Sequence, residues 1–124
     1  MTVYAASIPA DHTSPITTVE LPEGFDSLYT VIGCDLVEAV RVDSETTLWC
    51  DEEALCKAEP KLNIRASLIC GHNIFGNAVL CGDEDGAVVS LLMPCPKVFF
   101  DAVQKEAERI VSSDAYKAAM QGRA

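Results

Sequence analysis

The sequence predicts an α+β fold: a small, mainly antiparallel sheet of about two hairpins, with short helices and a C-terminal helix packed on it. Three observations carry this expectation. Two pairs of apolar runs are joined by short polar connections, Asp43-Ser44-Glu45 and Asp83-Glu84-Asp85-Gly86, as strands joined by tight turns should be. Short stretches of three- and four-residue apolar spacing end at Gly33 and Gly71, where a helix can close. After Pro94 and Pro96 a long stretch of helical spacing runs toward the chain end.

Taken in order, Val3-Tyr4-Ala5-Ala6-Ser7-Ile8 and Ile16-Thr17-Thr18-Val19 alternate apolar with polar or small residues around Pro9, Asp11 and Pro15. They predict an edge hairpin or two short strands over residues 1–20. Phe25, Leu28, Tyr29 and Ile32 then share one helix face, closed by Gly33. Residues 34–42 and 46–50 form the first hairpin. Asp51, with Glu52 and Glu53 behind it, suits the N-cap of a short helix reaching Ala58 and stopped by Pro60. Asn63 can cap a second short helix from Ile64 to Cys70. Residues 77–82 and 87–92 form the second hairpin, its Asp85-Gly86 step suited to a tight turn. Val98, Phe99, Ala102, Val103, Ile110 and Val111 predict the terminal helix.

The chain has 124 residues, 49% of them hydrophobic and 23% charged, enough to build one core. One domain over residues 1–124 is expected: edge strands at 1–20, a central portion at 21–82 and the terminal helix at 94–120. No apolar run is long enough to span a membrane, and the start shows no signal-peptide pattern. A cytoplasmic, soluble protein is the expectation. Six cysteines are present, but the closest pair, Cys50 and Cys56, is six apart, unlike the two- to four-residue spacing of zinc ligands. Reduced thiols that behave as small hydrophobes are expected, with no metal and no cofactor.

Charge is the most informative compositional feature. Residues 1–56 hold eleven acids against the single base Arg41, whereas residues 57–124 hold eight of each. The whole net charge of −10 therefore belongs to the first half. Such a surface repels nucleic acid and membranes, so neither is expected as a direct partner.

Four segments resemble a known family. Leu28-Tyr29-Thr30-Val31-Ile32-Gly33-Cys34-Asp35-Leu36-Val37-Glu38-Ala39-Val40, Leu48-Trp49-Cys50-Asp51-Glu52-Glu53, Leu62-Asn63-Ile64-Arg65-Ala66-Ser67 and Ile74-Phe75-Gly76-Asn77-Ala78-Val79-Leu80 occur in the order found in domain of unknown function 3846, a family of phages and bacterial mobile elements. The resemblance covers Leu21 to Gly82. Cys34 stands where the family usually has a second glycine, and Asp51 where it has an asparagine. The resemblance implies an accessory protein acting in a host cytoplasm, and it transfers no catalytic residue.

The chemistry-bearing residues point the same way. Glu52 and Glu53 are adjacent and diverge on a helix; Asp83, Glu84 and Asp85 belong to a turn. Cys70 and His72 are too close in sequence to form a nucleophile–base pair readily. No phosphate-binding glycine loop or zinc-protease motif is present, so an enzyme is not expected, a nucleotide hydrolase being the third class considered. Lys57, Lys61, Asn63, Arg65, Ser67 and His72 make a basic and amide-rich cluster near one helix start, where backbone N–H groups favour an anion. The leading expectation is sequestration of a small anionic, nucleotide-like signalling molecule by Lys61, Asn63, Arg65, Ser67, His72 and a stacking Trp49, in a homo-oligomer. The plainer possibility is that Asn63 only caps the helix, Ser67 faces the core and the bases are solvated. The alternative function is an acidic mimic of nucleic acid, or inhibitor, that docks on a basic host protein through Glu38, Asp43, Glu45 and Asp51.

Overall fold

The computed structural model describes residues 2–57, 59–91 and 96–121. Six strands form one antiparallel sheet: β1 (Val3–Ile8), β2 (Thr17–Leu21), β3 (Val37–Asp43), β4 (Thr46–Asp51), β5 (Ala78–Glu84) and β6 (Ala87–Val89). Their spatial order is β2-β1-β5-β4-β3, and β6 pairs with the far part of β5. Among the described residues four α-helices accompany them: α1 (Ser27–Ile32), α2 (Ile64–Cys70), α3 (Pro96–Ser112) and α4 (Asp114–Gln121). The expected α+β class and antiparallel sheet are present.

The central strand explains the layering. Ala78, Val79, Leu80, Cys81 and Gly82 are all buried, because β5 is covered on both faces. Ala78 and Leu80 pack with Ala6, Ile8, Leu48, Cys50, Ala66 and Ile74 in one core, against which Ile69 of α2 and Phe100 of α3 lean. Val79 and Cys81 point the other way, into a second core with Val3, Ala5, Leu21, Leu28 and Ile32. Alternation along a strand thus feeds two opposed cores. Full burial of residues such as Leu28, Leu48 and Leu80 contributes about 1.5–3 kcal/mol each.

Turn chemistry fixes the connections. Asp85 and Gly86 both have positive φ, 52° and 86°, the backbone required by a two-residue hairpin whose twist matches its strands. The Asp83 carboxylate accepts the Gly86 amide at 2.9 Å and the Thr47 hydroxyl at 2.8 Å. These bonds, with Arg41 nearby, hold its pKa below the usual carboxylate value.

Several expectations need correction. Within the N-terminal hairpin only β2 lies at the sheet edge; β1 lies between β2 and β5, since Val3, Ala5, Ala6 and Ile8 supply apolar groups to both cores. The helix expected after Asp51 is a single 3-10 turn, Ala54–Cys56, and Ala58 falls outside the described residues. Asp51 instead extends β4 by pairing with Val37, while its carboxylate accepts the Glu53 amide at 2.9 Å and meets Lys57 at 2.7 Å. β6 ends at Val89, shorter than expected: Ser90 and Leu91 belong to no strand, and Leu92 lies outside the described residues. The terminal helix is two helices. Ser113 divides them, donating to Ile110 O at 2.6 Å and accepting the Tyr116 amide at 3.2 Å; that hydroxyl stops one helix and caps the next. Pro94 lies outside the described residues.

Two outcomes follow from this packing. A Cβ on Gly82 would collide with the Ser90 carbonyl oxygen, so Gly82→Ala should lower stability by about 1–3 kcal/mol in urea unfolding. Burial pushes the Cys50 and Cys81 thiols up to about 12, whereas Cys56 is exposed. A maleimide near neutral pH should modify Cys56 in the native protein and reach Cys50 and Cys81 only after unfolding, as read by peptide mass mapping. Since these folded-state values are raised, their stabilising contribution is present below the ordinary thiol value and is lost as pH rises through the folded one.

Candidate functional site

The basic and amide cluster becomes an internal fastening. Asn63 is wholly buried. Its side-chain oxygen accepts the Ala66 amide at 3.0 Å and caps α2, while its side-chain nitrogen donates to Ile8 O at 2.8 Å and Gly76 O at 2.9 Å. Ser67 Oγ donates to Asn63 O at 2.7 Å and accepts the Ile74 amide at 2.8 Å. Capping, together with satisfaction of loop carbonyls, uses the Asn63 amide and the Ser67 hydroxyl, both of which were expected to meet a ligand.

Arg65 is 1% exposed. One terminal nitrogen donates to Gln104 Oε1 at 2.9 Å; the other donates to Pro9 O at 2.9 Å and Asp11 O at 3.0 Å. Burial lowers its pKa from the usual arginine value, opposed by the charge of Asp11. The guanidinium joins the β1–β2 loop, α2 and α3 instead of facing solvent.

The remaining members do not converge. Lys61 is exposed beside a cleft of about 180 Å³ that also has Lys57, Glu59 and Asn77 on its walls. His72 is exposed on the far side of α2, at the rim of a different groove. Trp49 belongs to the second core, across the sheet, where its ring meets Phe25 edge to face at 5.2 Å. Ser67 and His72 share the lining of a cleft of about 380 Å³ with Leu68, Ile110 and Tyr116, but Lys61, Asn63, Arg65 and Trp49 do not line it, so the six form no single surface within one chain.

The acidic residues behave differently. β3 ends the sheet, and among the described residues no strand pairs with its outer edge. Glu38, Asp43, Glu45 and Glu52 are exposed around it. Asp51 is the exception: 8% exposed and held by Lys57, it is unsuited to meeting a partner. Arg41, the one base here, donates to Asp43 O at 3.3 Å and Ser44 O at 3.4 Å and lies 3.6 Å from Asp83.

Beside β3 runs a groove of about 500 Å³ whose lining includes Glu38, Val40, Cys50, Leu55, Ile74 and Phe75. Leu55 is 66% exposed at its rim. Burial, and after it the charge of Glu38, keeps the Cys50 thiol protonated, so the groove offers shape, apolar surface and acid charge but no thiolate nucleophile. Among the described residues no group of three or more His, Cys, Asp or Glu could hold a metal ion. The acid excess in the first half signalled this surface; the groove itself has no sequence signature, because its walls come from three separate segments, residues 38–41, 50–55 and 72–75.

A six-stranded antiparallel domain with a groove along one edge strand is the class that fold and site define. The chain belongs to the family described as a domain of unknown function (DUF3846), whose model matches residues 5–101. That span is wider than Leu21–Gly82, taking in most of β1, all of β2 and the beginning of α3, which fits strands woven into one sheet. No curated protein matches the chain. A solved structure titled small RNA methyltransferase HEN1 is similar over 75% of this chain, with TM-score 0.60 and 21% identity. The match spans only 15% of that chain and bears on fold alone. No helix among the described residues is long and apolar enough to cross a membrane.

Arg65→Met leaves the Pro9 and Asp11 carbonyls without their donor, and should cost about 3 kcal/mol or more in denaturant unfolding. Asn63→Ala removes a helix cap and two buried donors, with an expected loss of about 2 kcal/mol or more in the same measurement.

Proposed function

We propose that this protein is a non-enzymatic accessory protein that docks on a basic host protein through the acidic rim of β3. The observation that carries this reading is the concentration of exposed carboxylates, Glu38, Asp43, Glu45 and Glu52, around an open strand edge. Sequestration of a nucleotide-like molecule rested on six residues of which Asn63, Arg65 and Ser67 are bonded internally, so the acidic rim is the better-supported surface. Asp51 drops out of the docking set because Lys57 already neutralises it.

The physical role of such a rim is steering and selection. Charges of one sign lining a groove raise the encounter rate with a partner of opposite sign and disfavour partners of like sign. Because the rim is exposed, its contribution falls as salt screens it.

The test is affinity capture from a bacterial host extract at low and high ionic strength, comparing wild type with the triple variant Glu38→Gln/Asp43→Asn/Glu45→Gln. Basic proteins should be retained by wild type at low salt and released at high salt. Retention by the variant should fall about tenfold or more. Retention indifferent to both salt and the substitutions would remove the acidic rim as the docking surface.

A further inference from the structure

We propose that the partner enters as an extended basic segment that adds a strand to the outer edge of β3, with alternate side chains seated in the adjoining groove. This rests on the acidic-rim reading and specifies its mode of contact. The backbone phase is the first argument. β3 and β4 pair as Val37↔Asp51 and Glu38↔Cys50, and the same register continues to Leu36 and Glu52, where the Glu52 amide donates to Leu36 O at 3.0 Å. Directly opposed residues that exchange hydrogen bonds alternate with those that do not. Leu36, Glu38 and Val40 therefore turn their peptide groups toward β4. Val37, Ala39 and Arg41 turn theirs outward, where no described strand pairs with them.

Protection of this edge is confined to one end. The register shifts between Arg41 and Asp43, and the Arg41 guanidinium covers the carbonyls of Asp43 and Ser44. Edge strands are commonly blunted by such bulges or by proline, and the Val37–Ala39 portion has neither. The groove adjoins that open portion, with Val40, Leu55 and Phe75 offering apolar surface and Glu38 an acid. Strand addition uses main-chain bonds for affinity and side-chain pockets for selection; both components are here.

Charge decides the occupant. A second copy set antiparallel about Ala39 would place Asp43 of one chain opposite Asp35 of the other, an unfavourable pairing. Lysine or arginine in an added strand would instead face Asp35, Glu38 or Asp43. An alternating basic and apolar segment fits the edge and groove together.

The experiment titrates two synthetic heptapeptides of equal charge into the isotope-labelled protein at low salt, one alternating Lys with Val and the other Lys with Pro. Proline cannot donate to a ladder, so only the Lys/Val peptide can add as a continuous strand. It should bind about tenfold tighter and slow amide exchange at Val37, Ala39 and Arg41. Ala39→Pro removes an outward donor without changing charge and should abolish the difference between the peptides. If that variant fails to fold by circular dichroism, the amide exchange of wild type decides. Equal binding of both peptides without protection of those amides would overturn strand addition while leaving the acidic rim in place. Absence of binding by either peptide would overturn both readings. Protection of the same amides that grows with protein concentration and needs no peptide would replace the basic segment with a second copy.

Discussion

The buried guanidinium of Arg65 is the constraint on which the rest of the structure depends. A charge taken out of water costs several kcal/mol unless its hydrogen-bonding capacity is met, and this one has no carboxylate within ion-pair distance among the described residues. It is held by Gln104 and by the carbonyls of Pro9 and Asp11, while its Nε finds no acceptor among the described residues. The arrangement is stable only if the β1–β2 loop, α2 and α3 occupy fixed relative positions. Gln104 extends the same network by donating to His12 O at 3.0 Å.

Asn63, two residues earlier, performs the matching task at the start of α2. Its contacts with Ile8 O and Gly76 O tie the helix start to the ends of β1 and the segment before β5. Once the helix start is fixed, Gly71 closes α2 in the left-handed conformation, φ 78°, and the chain must pass through residues 72–75 to reach β5. That passage forms the wall of the groove opposite β3. Residues that looked suited to holding a ligand therefore shape the surface from behind.

Charge is sorted by this architecture in a way that composition only hinted at. The described bases of the second half are exposed singly or already paired: Arg65 in the core junction, Lys57 to Asp51, Lys97 to Asp101 and Arg109 to Glu106. The acids around β3 keep few such partners, because the one nearby base, Arg41, is directed to main-chain carbonyls and Asp83. Surface ion pairs of this kind add little stability. Their consequence is in the field they leave behind, which is negative at the strand edge beside the groove.

Local physics was readable from the sequence. Both strand pairs with short polar turns, the helix closed by Gly33, the cap at Asn63 and the stop at Gly71 depend on neighbours within a few residues, where spacing and backbone preference decide the outcome. The acid excess of the first half was equally plain. Long-range partners decided the rest. Asp51 could cap a helix or lengthen β4, and pairing with Val37 settled it; Arg65 could face solvent or the core, and the carbonyls of a loop more than fifty residues away in sequence settled that. Which strand lies at the sheet edge, and which residues wall the groove beside it, are properties of the assembled layers, because hydrogen bonding and burial between distant segments leave no periodic mark along the chain.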